Sequence, residues 1–252
     1  MIIWSAAMIF LIITGMAKYS AAVDAGGGGL NDMIMQMPKA LQRLFGAGAF
    51  DFNNILDYFA VLYLYIALMG GIHAAMLGTG IISKEERDKT AEFLMVKPIS
   101  RTKVVSCKLL AALLCSVIFN LVTAVSSYVT MSYYAGSTES FANGLMKLMF
   151  GMLAIQWIFL VTGSFFAGVI KKPKFAMAIA SYSVLLMFML SAFADISDSA
   201  EFLRYFTVFK YFDAKDLLKD SWSAIYAGIS FALILALLTG TYKTYTKRDI
   251  KN

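Results

Sequence analysis

The sequence predicts an all-α polytopic membrane protein: six transmembrane helices, with a short cytoplasmic helix between the second and third. Three observations predict it. Apolar residues are 60% of the 252 and charged residues only 15%, against about 45–50% and about 25% in soluble domains. The charges gather in a few connections and leave six charge-free runs, five of them at or above the ~20 residues that carry a helix across a bilayer's hydrocarbon. Each run is continuously apolar rather than alternating, which requires helices that satisfy their own backbone hydrogen bonds rather than the strands of a barrel.

The first run, residues 2–17, is barely long enough to span. The small residues Ser20, Ala21 and Ala22 that follow resemble a signal-peptide cleavage site, but no Lys or Arg precedes the run and its removal would leave five spans, so six is preferred. Residues 18–57 form an external loop in which Gly26 to Gly29, Asn31, Asp32 and Pro38 allow at most a short helix near Met37 to Phe45. The remaining spans are 58–82, 109–134, 148–170, 175–194 and 221–242. A second external loop, 195–220, mixes Asp195, Asp198, Glu201, Asp213, Asp216 and Asp220 with Phe202, Tyr205, Phe206, Phe209, Tyr211 and Phe212, a composition expected at the membrane interface. Cys107 and Cys115 stand eight residues apart, roughly 12 Å along a helix, too far to pair, and are expected as free thiols.

Charge sets the orientation. Seven Lys or Arg lie between spans 2 and 3 (Lys84, Arg87, Lys89, Lys97, Arg101, Lys103, Lys108), three between spans 4 and 5 (Lys171, Lys172, Lys174) and four after span 6 (Lys243, Lys247, Arg248, Lys251). The other side holds eight, spread over about twice the loop length: Lys18, Lys39, Arg43, Lys147, Arg204, Lys210, Lys215 and Lys219. Positive charge marks the cytoplasm, so both termini are expected in the cytosol of a multi-pass protein of the cytoplasmic membrane. The net charge of +6 and pI near 9.2 then report topology and attraction to anionic lipid, not a nucleic-acid partner.

The connection between spans 2 and 3 carries the most information. Residues 84–97 read as a short helix in which Ser83 and Glu86 have the spacing of a capping box, Glu85 and Lys89 form an i,i+4 pair, and Pro98 ends the helix. Ser100 can then cap span 3. The first two turns are charged, whereas Ala91, Phe93, Leu94, Met95 and Val96 are apolar. Such a helix either rests its greasy half on the bilayer as a connector or touches another protein.

The string Glu85-Glu86-Arg87-Asp88-Lys89-Thr90-Ala91-Glu92-Phe93-Leu94, followed by Lys97-Pro98-Ile99-Ser100-Arg101 and Lys108, resembles the intracellular segment of ABC-2 type permeases. There an acidic E-E-x-x-x-T-x-E-x-L helix leads into P-[VI]-S-R and a Lys opening the next span. The likeness extends to a first span beginning near Trp4, to Met37-Pro38-Lys39 and Phe45-Gly46 in the external loop, and to Tyr211-Phe212-Asp213 before the last span. The resemblance implies a coupling helix that docks on a separate cytosolic ATPase, present in two copies, and a second permease chain. By position, Glu85, Glu86, Arg87, Thr90, Glu92 and Phe93 would meet the ATPase, while Pro98, Ser100 and Arg101 would fix the turn into span 3. One departure is that the family usually begins with a basic amphipathic helix, whereas this sequence starts almost inside span 1, so that element is either absent or lost to a late start.

Enzymatic motifs are missing. No G-x-x-x-x-G-K-[ST] is present, so ATP and Mg are expected on the partner ATPase. The single histidine, His73, excludes H-E-x-x-H, and Thr90 breaks an E-E-x-x-x-R protease motif. No metal ligand set and no bound cofactor are expected. His73 in span 2 is read either as functional or as a neutral imidazole bonded to a neighbouring helix. In span 3, Ser116, Asn120, Thr123, Ser127 and Thr130 form one polar stripe, either interhelical packing or, with Gln156 of span 4, a substrate path. In span 6, Ala224, Gly228, Ala232, Ala236 and Gly240 form a small-residue ladder expected to pack within the chain.

The expected function is the permease subunit of an ATP-driven exporter of a small amphipathic compound or peptide; the 16 methionines mildly favour such cargo. Two rivals are an ion-gradient-driven carrier, which calls for internal repeats and charged midspan residues not found here, and a non-transporting sensor or scaffold using the 195–220 loop.

Overall fold

The computed structural model describes residues 1–24, 34–39, 41–42, 50–88, 100–135, 141–196 and 198–247. Helices account for the described chain in the order α1 (Ile2–Asp24), α2 (Ile55–Ile82), α3 (Lys84–Arg87), α4 (Arg101–Tyr134), α5 (Ala142–Val169), α6 (Pro173–Ile196), a 3₁₀ segment (Asp198–Tyr205), α7 (Val208–Tyr211), α8 (Ala214–Leu218) and α9 (Ala224–Lys247). No β-strand occurs among the described residues. Six helices, α1, α2, α4, α5, α6 and α9, are long and apolar enough to cross a membrane, as the charge-free runs predict.

Their ends differ from the runs because a helix does not stop where its charges begin. α4 starts at Arg101 rather than 109, since the Ser100 hydroxyl accepts from the Lys103 N–H at 3.4 Å and caps it there. Its 34 residues measure about 51 Å, well beyond the ~30 Å of hydrocarbon, so its first turns stand outside the membrane. α1 continues to Asp24, α9 runs from Ala224 to Lys247, and α2 begins at Ile55, where the Asn54 side chain accepts from the N–H groups of Leu56 and Asp57. Pro173, with no N–H to lose, opens α6.

α5 is the centre of the bundle. It packs against α2 most extensively, and also against α9, α4 and α6; α1 lies on α4 and α2. The core between them is built of fully buried large side chains including Phe59, Ile66, Phe119, Leu148, Met152, Ile155 and Phe159. Where α2 and α5 cross, their backbones nearly touch. A methyl group on Gly78 would overlap the Leu160 carbonyl oxygen, and one on Gly163 would overlap that of Ala75. The Thr79 hydroxyl, bonded to Ala75 O at 2.7 Å, also reaches Gly163 O at 3.2 Å, and Ser164 Oγ lies 3.3 Å from Gly78 O. Small residues bring two membrane helices together in this way because close packing replaces the hydrophobic drive that lipid removes.

The ladder in α9 does not do this. Ala224, Gly228, Ala232 and Ala236 are exposed, Gly228 has nothing within 4 Å of a Cβ, and only Gly240 packs, its Cβ position 2.7 Å from the Phe165 ring. The expectation of intrachain packing fails for a geometric reason. At about 100° per residue, a four-residue step overshoots a full turn by about 40°, so the stripe winds away from α5 within a few steps.

Candidate functional site

At one end of the bundle the beginning of α1, the α2–α4 connection, the start of α6 and the end of α9 come together. Met1 and Trp4 line a groove with Lys84 and Arg87, and a second groove runs between Glu86, Arg87 and the Lys171–Lys174 turn. The start of α1 and the end of α9 therefore lie beside the connection read as a coupling helix.

α2 passes into α3 with one residue between them. That residue, Ser83, has φ −93° and ψ 10°, not the extended backbone an N-cap needs, and its hydroxyl donates back to Thr79 O at 2.7 Å. The capping box expected between Ser83 and Glu86 is thus not formed from Ser83's side. The i,i+4 pair of Glu85 with Lys89 falls outside the described residues. Glu85 pairs with Lys108 of α4, and the same ammonium donates to the carbonyl of Ile82 at 3.2 Å and sits 5.8 Å from the Tyr245 ring centre. A cation on the last carbonyls of a helix is favourable, so Lys108 closes α2 while gripping the turn that follows it. Two further bonds fasten α4 to α9: Arg101 Nη1 to Thr246 O at 3.2 Å, and the Ser106 and Tyr242 hydroxyls at 2.7 Å. Arg87 pairs with its neighbour Asp88 at 3.1 Å, largely in solvent. Thr90, Glu92, Phe93 and Pro98 lie outside the described residues.

Residues 2–250 match the ABC-2 family transporter protein. The chain belongs to the ABC-2 transporter family. No curated protein matches the sequence closely enough to be called a relative. Family membership and six apolar helices make this an integral membrane component of a transport system.

In this ABC-2 family member Ser116, Asn120, Thr123, Ser127, Gln156 and His73 are buried inside the single chain, whereas Thr130 is partly exposed and bonds to Ser126 O of its own helix at 2.7 Å. Asn120 donates to Met149 O of α5 at 3.1 Å, but Ser116 and Thr123 bond only to carbonyls of their own helix, at 2.8 and 2.9 Å. Ser127 Oγ and both side-chain amide atoms of Gln156 have no partner among the described residues. Gln156 faces Gly70, whose Cβ position is 3.0 Å from the amide nitrogen. His73 lies between two rings, stacked on Phe119 at 4.3 Å and tilted against Trp4 at 5.4 Å, with Nδ1 unbonded. Among the described residues the stripe therefore supplies one hydrogen bond between helices.

A second cluster, at the opposite end, was not anticipated. The 195–220 segment does not all lie at the interface. Phe202, Tyr205 and Phe206 are exposed, but Val208, Phe209, Lys210, Tyr211, Phe212 and Ala214 are buried in the bundle. Lys210 is held between Asp195 at the end of α6, 2.7 Å away, and Asp213, which also caps α8 by accepting the Lys215 N–H at 3.1 Å. Burial alone would lower the Lys210 ammonium, but the two carboxylates outweigh it and hold it above its usual range. Burial likewise opposes ionisation of Asp213, and Lys210 with Lys215 overcomes it and keeps that carboxyl below the usual range. Nearby Asp216 is raised, by burial and then by the charge of Asp213. A chain turned inward at this point has to carry its own counter-ions.

Proposed function

We propose that this chain is the permease half of an ATP-driven exporter in the cytoplasmic membrane, moving a small amphipathic compound or peptide. It pairs with a second permease chain, like or unlike, and with two copies of a separate cytosolic ATPase that binds the ATP and Mg; no phosphate-cradling loop exists in this sequence. By the distribution of Lys and Arg, the end carrying Glu85 and both termini faces the cytosol.

The observation that carries the reading is the Glu85–Lys108 pair. It fixes the charged turn after α2 to α4, while Arg101 and Ser106 fix α4 to α9. A push on that turn therefore reaches three spans without passing through a flexible joint. In this scheme Glu85, Glu86, Arg87, Thr90, Glu92 and Phe93 meet the ATPase, and Pro98, Ser100 and Arg101 hold the entry to α4. Mixed charges around one aromatic suit a surface that binds and releases every cycle. Transport follows alternating exposure of a central interface as the ATPases close. The burial of Ser116, Asn120, Thr123, Ser127, Gln156 and His73 inside one chain favours packing over a substrate path for these residues.

The test is purification of the native assembly and reconstitution with the ATPase that accompanies it. Charge reversal at Glu86 and Glu92 is expected to abolish stimulation of ATP hydrolysis by the permease while leaving its fold intact. Full stimulation by the reversed chain, or purification of the native assembly without any ATPase, overturns the proposal.

A further inference from the structure

The two grooves that flank Arg87 share one design. The first, of about 420 Å³, lies between α1, α2 and α6; half-buried Trp4, Leu77, Ile81 and Met177 line its floor, and exposed Lys84 and Arg87 its edge. The second, of about 620 Å³, runs from Glu86 and Arg87 to Lys171, Lys172 and Lys174, and ends on Phe175 and Ala178. Both are roomy enough for an organic group, within the ~300–1,000 Å³ of ligand sites. The first floor is open where α2 carries Gly80, whose Cβ position has only the Met177 methyl within 4 Å, at 3.8 Å.

Charge and polarity select what fits. Five cations line the grooves, Lys84, Arg87, Lys171, Lys172 and Lys174, against the carboxylate of Glu86 and that of Asp88 beside Arg87; five against two leaves three positive charges in excess. Glu85 does not reduce the excess, because it is turned to Lys108. Among the described residues the four ammonium groups enter no ion pair. Lysines on a cytosolic connection report topology wherever they stand, but these surround hollows that open onto the lipid-facing side of the bundle. Phe175 is 60% exposed and starts a stripe of exposed side chains, continued by Tyr182, Leu186, Met189 and Phe193 on one face of α6. An acidic protein surface or a free phosphate would meet the charges and leave the apolar parts unmatched. A phospholipid matches both, since guanidinium and ammonium groups hold phosphate and acyl chains cover apolar helix.

We propose that the Arg87 grooves seat an anionic phospholipid of the adjoining leaflet, its phosphate between Arg87 and the Lys171–Lys174 turn, one acyl chain along the α6 stripe and the other over Trp4 and Ile81. Arg87 borders both grooves, so one headgroup there can send a chain into each. The site lies within one chain and needs neither a second permease nor an ATPase. Its lysines are not among the residues assigned to the ATPase, so it is tested without nucleotide and apart from the transport reading.

Trp4 supplies the reporter. With Trp157→Phe and Trp222→Phe it is the sole tryptophan of the full chain, which is placed in phosphatidylcholine nanodiscs. Its fluorescence is quenched by a minor fraction of phosphatidylglycerol or of phosphatidylcholine, each brominated near the head of one acyl chain. The anionic lipid is expected to occupy the site about fivefold or more in preference to the zwitterionic one, since a single Lys or Arg near an anionic headgroup is worth about that factor. Lys171→Glu with Lys174→Glu brings the ratio close to unity. Lys103→Glu with Lys243→Glu changes the net charge equally, at exposed positions of α4 and α9 outside both grooves, and leaves the ratio unchanged. Phosphatidylglycerol carrying a diazirine in its headgroup, photo-crosslinked to the wild-type chain, is expected to label peptides of the α2–α3 turn or the start of α6, a readout that needs no variant. The proposal is overturned by equal quenching from the two lipids, by a preference that survives in the folded Lys171→Glu, Lys174→Glu chain, by an equal loss in the control pair, or by labelling confined to other parts of the chain.

Discussion

Replacing Lys210 with methionine keeps the bulk of the side chain and removes its charge. Two carboxylates, Asp195 and Asp213, then face each other in a buried site without their cation. Removing one member of a buried ion pair costs about 3–5 kcal/mol, and the protein can limit that cost by taking up a proton. At pH 7, three units above an ordinary carboxyl, protonating one of them costs about 4 kcal/mol; at pH 5 the same step costs about 1.4 kcal/mol. Lys210→Met is therefore expected to lose about 4 kcal/mol at pH 7 and less than half of that at pH 5. The wild-type chain behaves differently. The depressed Asp213 contributes stability that is present above the ordinary carboxyl range and lost only as pH falls through its lower folded value. The raised Lys210 contributes stability that is present below the ordinary lysine range and lost only as pH rises through its higher folded value. Between pH 5 and 8 Asp213 and Lys210 leave wild-type stability flat. Unfolding by SDS titration can be followed by the fluorescence of Trp222, whose Nε1–H donates to Tyr211 O at 2.9 Å beside the cluster. A loss below about 1 kcal/mol, or an equal loss at both pH values, refutes the reasoning.

Three further outcomes are expected. Gly78→Ala drives a methyl group into backbone that cannot yield, and should cost at least the upper part of the usual 1–3 kcal/mol of overpacking, about 3 kcal/mol, in thermal unfolding; Gly228→Ala, open on all sides, should be neutral or gain up to about 1 kcal/mol. Gln156→Leu removes a fully buried amide with neither atom bonded among the described residues, and should raise stability by about 1–3 kcal/mol; a fall would show that the amide has a partner beyond them. Glu85→Lys and Lys108→Glu should each uncouple ATP hydrolysis from transport in reconstituted vesicles, and the double swap should restore part of it, whereas a double variant as poor as either single one would deny the pair its part in transmission.

The six helices were legible because an uninterrupted apolar run has one solution in a bilayer. Their ends were not, since the charged turns from Arg101 to Lys108 remain helical outside the hydrocarbon. The motif held both Glu85 and Lys108, but the string alone could not join residues 23 positions apart. Spacing alone offers Glu85 only its helical neighbour Lys89. The buried cluster was half readable, for Lys210 and Asp213 stand three apart. Asp195, however, arrives from beyond the 3₁₀ segment, and single charges among aromatics read as surface until their partners are known. The small residues that matter, Gly78 and Gly163, were passed over in favour of the regular ladder in α9, which faces outward. Even spacing is visible in a string; where two helices cross is not.

The crossing at Gly78 and Gly163 leaves no clearance for one rod to slide along the other. Without even a methyl's width between them, α2 and α5 must tilt together as a single rigid keel. Whatever gating this transporter performs has to swing the outer helices around a spine that does not itself deform.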